Sequence, residues 1–147
     1  KEQTMPASKI YLVPIDFSKG SEIALKNAIR IARESGGRLL LIHVISMTFA
    51  FPLEVGFTDL VESVEKEARE GFDRLARRMR LKSGEYRSII VRGNDTAQAI
   101  AAMAKKAKAA MIVMASHGRT GLRRFMLGSV AERTLRYAEC PVLIVKK

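Results

Sequence analysis

The sequence predicts an α/β protein built on an open parallel sheet with helices on both faces. Short continuous apolar runs, the mark of strands buried on both faces, recur along the chain. Amphipathic helical stretches lie between them. The two kinds of segment alternate strictly, in the order β-α-β-α-β-α-β-α-β, a pattern that implies a parallel sheet. With 147 residues the chain has the size of one domain and can bury a core without covalent staples.

Ile10–Ile15 (IYLVPI) is the first strand and Leu39–Ile45 (LLLIHVI) the second, both rich in branched residues and bounded by polar or turn residues. Between them Ser21–Ser35 carries Ala24, Leu25, Ala28, Ile29, Ile31 and Ala32 as a wide apolar stripe at helical spacing. Gly36-Gly37 is its stop signal. Ser46–Thr58 (SMTFAFPLEVGFT) reads as an irregular connection, partly a lid or a contact surface. Asp59–Arg80 is a long helix with Val61, Val64, Ala68, Leu75 and Met79 on one side. Ser88–Val91 is a weaker third strand. Asp95–Ala107 is the third helix, opening on Asn94-Asp95 with Gln98 placed to complete a cap. Met111–Met114 (MIVM) and Val142–Val145 (VLIV) are the last strands. Ser129–Tyr137 lies between them, opening on a capping-box pattern of Ser129 and Glu132.

Composition narrows the class. Hydrophobic residues are 48% and charged residues 28% of the chain, ordinary for a globular protein. Cys140 is the one cysteine, so no intramolecular disulfide forms, which fits a cytoplasmic location. No apolar run approaches the roughly 18 residues needed to span a bilayer. Lys1–Ser8 lacks the apolar stretch of a signal peptide and reads as an extension, with Met5 as a candidate start. Residues 9–147 then form the domain. The net charge of +11 attracts anions. It fits a nucleotide ligand and equally a solvated basic surface, because the basic residues are spread along the chain. No nucleic-acid motif is present and aromatics are 6%, so nucleic acid is not the expected partner.

Ligands of open parallel sheets bind beyond the carboxyl ends of the strands, where strand order reverses. Three features converge there. Asp16 follows Pro14-Ile15 at the end of the first strand, where a carboxylate can accept from ribose hydroxyls; alternatively Asp16 or Ser18 caps the next helix. Ala115-Ser116-His117-Gly118-Arg119, continuing to Arg123-Arg124, follows the fourth strand. Its glycines allow close backbone approach, its amides can cradle an anion, and its arginines add positive charge; a solvated surface loop is the competing reading. Gly128-Ser129 opens the last helix, whose first amides and dipole favour phosphate. The hydroxyl of Ser129 can serve that phosphate or cap its own helix.

Neither a Walker lysine motif nor a GxGxxG fingerprint is present, which excludes the ordinary phosphate loop and dinucleotide sites. The two histidines, His43 within a strand and His117 in the loop, have no metal spacing with Cys140. No Ser-His-Asp arrangement stands out as a triad, and the seven methionines fit core packing.

At this point the residues resemble a known family. Ile10–Ser18 (IYLVPIDFS) looks like the opening strand of universal stress proteins. Ala115-x-x-Gly118, then nine residues, then Gly128-Ser129, looks like that family's G-x-x-G-x9-G-[S/T] nucleotide motif. Leu127–Glu132 and Cys140–Val145 resemble its last helix and strand, so the likeness runs from Lys9 to Lys147. It implies a Rossmann-like five-stranded parallel sheet of order 3-2-1-4-5. It implies ATP or AMP, with Mg carried by the nucleotide, held by a stress-response or regulatory module rather than an efficient enzyme; the alternatives are a family member that does not bind ATP and acts through dimerisation, or a slow ATPase or phosphoryl-transfer enzyme in which Asp16 holds the magnesium. Asp16, with Pro14 beside it, would serve the ribose, and the backbone of Val44 would meet adenine. Ala115, His117, Gly118, Arg119, Gly128, Ser129 and Val130 would hold the phosphates. Family members commonly pair through their last strand, here Val142–Val145. One departure stands out: Ala115 occupies the motif's first glycine position. If that position needs positive φ or close approach of a phosphate, the methyl costs about 1 kcal/mol or more; on an ordinary backbone it is harmless.

Overall fold

The apolar runs become the strands of one parallel sheet. The computed structural model describes residues 8–47, 57–118 and 126–146. The elements in chain order are β1 (Ile10–Pro14), α1 (Lys19–Ser35), β2 (Arg38–Ser46), α2 (Phe57–Arg78), β3 (Tyr86–Gly93), α3 (Thr96–Lys106), β4 (Met111–Ala115), α4 (Ser129–Tyr137) and β5 (Val142–Val145). The sheet order is β3-β2-β1-β4-β5, with every neighbouring pair parallel. The expected architecture and strand order are therefore found. Arg119, with the rest of 119–125, and most of the connection at 46–58 lie outside the described residues.

Two layers of apolar side chains cover the sheet. Alternate residues of a strand face opposite ways. Tyr11, Val13 and Ile15 join Leu41 and Val113 against Leu25 and Ala28 of α1 and Phe72 and Leu75 of α2. Leu12, Ile42, Ile112 and Met114 pack against Ile100 and Ala104 of α3 and Ala131 of α4. Burial of these side chains supplies the main driving force for folding.

Local chemistry fixes the ends of the elements. Ser18 caps α1, its hydroxyl accepting from the Ser21 amide at 3.3 Å. Gly36 ends that helix in the left-handed region at φ 67°. Asp95 caps α3, accepting from the Gln98 amide at 3.2 Å. The capping box expected at Ser129 does not form. Gly128 is the cap residue, no side chain bonds the first turn, and Glu132 instead accepts from Arg136 at 2.8 Å. Gly128 takes that place because its own N–H is bound across to the Ser116 carbonyl at 2.7 Å.

The two sheet margins differ. On β3, Arg87, Ser88 and Arg92 are exposed, and Arg92 donates to Glu65 of α2 at 2.7 Å. On β5 the run is wholly apolar and Leu143 is 37% exposed. At the amino-terminal ends of the strands Arg33 forms a two-pronged contact with Glu85. That guanidinium and the Lys82 amide hold the Glu85 carboxyl down at about 2.

Candidate functional site

The chain reverses direction across the sheet between β1 and β4, and a cleft opens there at the carboxyl ends of the strands. Its volume is about 340 Å³, within the ~300–1,000 Å³ typical of small-molecule sites. Most of the cleft lies on the α3/α4 side of the sheet. Ile42 and Val44 of β2, Met114 of β4 and Thr96 and Ile100 of α3 give an apolar floor and wall. Pro14, Ile15 and Asp16 form one rim, Ala115–Gly118 the second, and Gly128–Ala131 at the start of α4 the third.

The sequence-predicted residues Pro14, Asp16, Val44, Ala115, His117, Gly118, Gly128, Ser129 and Val130 all line this one cleft. Ser21, Thr96, Ile100 and Met114 line it too and were not anticipated. Thr96 carried a usable signal, since it directly follows a helix cap at the carboxyl end of the sheet. Ile100 and Met114 read only as core.

Asp16 has two faces. Its Oδ1 accepts from the Ser18 amide at 2.9 Å and the Ser18 hydroxyl at 2.5 Å. Its Oδ2 lies against Gly118, where a Cβ would stand 3.0 Å away. Ser18 thus caps the helix, while Asp16 fixes the turn before it and brings a carboxylate to the cleft.

The cradle at the opposite rim depends on small residues. A Cβ on Gly128 would meet the Ser116 carbonyl at 2.9 Å and the His117 Cα at 3.4 Å. Only glycine lets α4 start this close to the end of β4. Ser129 and Val130 follow, exposed towards the cleft, in the first turn where helix amides have no partner within the helix. With Ser129 in the helix rather than capping it, its hydroxyl makes no capping bond. His117 Nδ1 is 2.9 Å from the Ser116 hydroxyl. Its Nε2 is buried without a partner among the described residues. An orphaned ring nitrogen beside unpaired amides fits an anionic ligand group.

Ala115 lines the cleft without left-handed backbone. The non-glycine residues with positive φ among those described are Phe17, Arg80 and Lys108, so Ala115 sits on ordinary backbone. Its Cβ faces α1, standing 3.2 Å from where a Cβ on Gly20 would be. The methyl is spent on the interface between β4 and α1.

His43 stands at the end wall, its Nδ1 2.7 Å from the Ile15 carbonyl. Among the described residues no group of three His, Cys, Asp or Glu is placed to hold a metal. No helix there is long and apolar enough to cross a membrane.

The universal stress protein family model matches residues 8–146. This chain belongs to the universal stress protein family. Universal stress protein MJ0531 of Methanocaldococcus jannaschii is 35% identical over 141 residues, covering 95% of this chain and 82% of that protein. Universal stress protein MJ0577 of the same organism is 30% identical over 155 residues. The solved structure of MJ0577 superposes with a TM-score of 0.84, covering 95% of this chain and 96% of that one. A universal stress protein from Archaeoglobus fulgidus, solved in complex with dAMP, shares the fold at 21% identity and a TM-score of 0.66, covering 97% of this chain and 100% of that one.

Proposed function

We propose that this universal stress protein binds an adenine nucleotide, ATP or AMP, in the β1/β4 cleft and acts as a stress-response or regulatory module. The observation that carries the reading is the meeting, in one cleft, of an apolar floor and an anion cradle. The floor of Ile42, Val44, Ile100 and Met114 suits a flat apolar base, with the Val44 backbone at hand for its polar edge. Asp16 is the cleft's one carboxylate among its described lining residues, and suits ribose hydroxyls. Gly118, the first-turn amides of Ser129 and Val130 and the ring of His117 suit the phosphates, with the Ser129 hydroxyl as a further donor. Arg119 follows that loop in sequence and would add charge. The dAMP-bound relative belongs to the same fold; the nucleotide assignment here rests on the chemistry of this cleft.

Magnesium, when bound, would neutralise phosphate charge, and Asp16 is the carboxylate among the described lining residues that would share it. Efficient phosphoryl transfer would need a metal-holding carboxylate and a group that positions the attacking water. A cleft with one acidic side chain favours holding the nucleotide over turning it over. The lone half-buried Cys140 supports a cytoplasmic setting. The apolar β5 margin supports pairing of two copies through Val142–Val145.

Isothermal titration of nucleotide-free protein with ATP and with AMP, both in magnesium, tests the reading. Binding is expected, and Asp16→Ala should weaken it about tenfold, the worth of hydrogen bonds to a charged group. Absence of heat from either nucleotide would overturn it.

A further inference from the structure

Phe17 is an aromatic residue in left-handed backbone. It follows Asp16 directly and has φ 63°, a conformation that bulky residues seldom adopt. Such strain persists only where surrounding contacts over-determine it. Here those contacts come from α2. A Cβ on Gly71 would lie 2.8 Å from the Phe17 ring, so the ring is seated directly on the helix backbone. Phe72 meets the same ring edge-on with centroids 5.5 Å apart. On the β2 side His43 stacks against it, tilted, at 5.0 Å.

The turn that Phe17 completes is the one that aims Asp16. The carboxylate of Asp16 reaches forward over Phe17 to the amide and hydroxyl of Ser18. In this structure it does so across the left-handed bend of residue 17. His43 braces the start of the same turn through the Ile15 carbonyl. Yet no described residue of α2 lines the cleft. Phe17 therefore links α2 to the turn that carries the site's carboxylate.

We infer that Phe17 is a positioning residue: its ring, seated on Gly71, holds the strained turn that points Asp16 at the ribose. This rests on the nucleotide reading of the cleft for its ligand, but the positioning can be read without one.

Three variants separate the roles. Phe17→Ala removes the ring while keeping a side chain that dislikes the bend. Phe17→Tyr keeps the ring and is the conservative rescue. Gly71→Ala leaves Phe17 in place but puts a methyl where its ring sits, at a position where alanine favours the helix. Each is titrated with ATP and with 2′,3′-dideoxy-ATP, which lacks the hydroxyls Asp16 would hold. Wild type and Phe17→Tyr should prefer ATP by about tenfold. Phe17→Ala and Gly71→Ala should lose most of that preference, with binding of the dideoxy nucleotide little changed. General loss of fold would weaken both nucleotides alike.

Amide hydrogen exchange at Ser18, measured by NMR on ligand-free protein, is the second readout. Its protection should fall in Phe17→Ala and Gly71→Ala, while core amides of β1 stay protected. An unchanged preference, or unchanged Ser18 protection, in both folded variants overturns the inference. If wild type binds neither nucleotide, the reading of the cleft falls, and Ser18 exchange alone still decides whether Phe17 holds the turn.

Discussion

The N–H of Gly128 donates to the carbonyl of Ser116 at 2.7 Å, tying the first turn of α4 to the end of β4. Gly128→Ala would drive a methyl to 2.9 Å from that same carbonyl. Backbone cannot yield as a flexible side chain can. The variant should lose about 1–3 kcal/mol of stability by overpacking and bind ATP more weakly. Urea unfolding, with a lowered midpoint at constant slope, and calorimetric titration check the two halves.

Gly118→Ala should behave differently. Its methyl would meet Asp16 Oδ2 at 3.0 Å, the tip of a side chain that can swing aside. Stability should change by less than about 0.5 kcal/mol, while ATP affinity falls about tenfold as the carboxylate leaves its place. Comparing melting temperature with the dissociation constant separates the effects, and loss of both together would contradict the assignment.

Restoring the family's glycine at residue 115 should not improve the site. The methyl of Ala115 packs towards α1 near Gly20, and its backbone is ordinary. Ala115→Gly should cost about 0.5–1 kcal/mol through backbone freedom and leave ATP affinity within about twofold, less than half a kcal/mol. A large gain in affinity would show that the methyl does intrude.

Acid weakens the tie between Glu85 and Arg33. The Glu85 carboxyl is held down at about 2, first by the Arg33 guanidinium and then by the Lys82 amide. A carboxyl depressed in the folded state stabilises it above the unfolded value of about 4.3. That contribution fades as pH falls from there through about 2. The unfolding midpoints of wild type and Glu85→Gln should therefore differ at pH 7, and the gap should narrow as pH is lowered from about 4 towards 2. A constant gap across that range would show that the carboxyl's charge is not what matters.

Leu143 is 37% exposed on the apolar margin of the sheet. Leu143→Lys should leave the monomer folded and weaken pairing of two copies by roughly tenfold or more, as expected for a charge placed in an interface core. Sedimentation velocity over a concentration series reads the shift. Wild type that stays monomeric at every concentration would remove the pairing proposal.

Much of this was legible in the residues because a parallel sheet buried on both faces writes itself as unbroken apolar runs. β3 was seen only in part, as Ser88–Val91. It lies at the margin, and Arg87 and Arg92 turn outward and interrupt the run; its true extent is set by pairing with Leu39–Ser46 of β2. Ser-x-x-Glu at Ser129 misled because the deciding partner, the Ser116 carbonyl, belongs to another element. The direction of the Ala115 methyl depended on α1 docking, which no local window contains. Phe17 was opaque for a stronger reason. Sequence rules assign left-handed backbone to glycine or asparagine, and the seat that overrides them is on a helix far along the chain.

The unequal margins of the sheet also limit what the protein can build. A sheet whose two borders were both greasy could add copies at either side and grow into a ribbon. Here one border is guarded by arginines at 87 and 92, and the other alone invites company. Like meeting like across a two-fold axis uses up that invitation on both sides, so growth would stop at a pair.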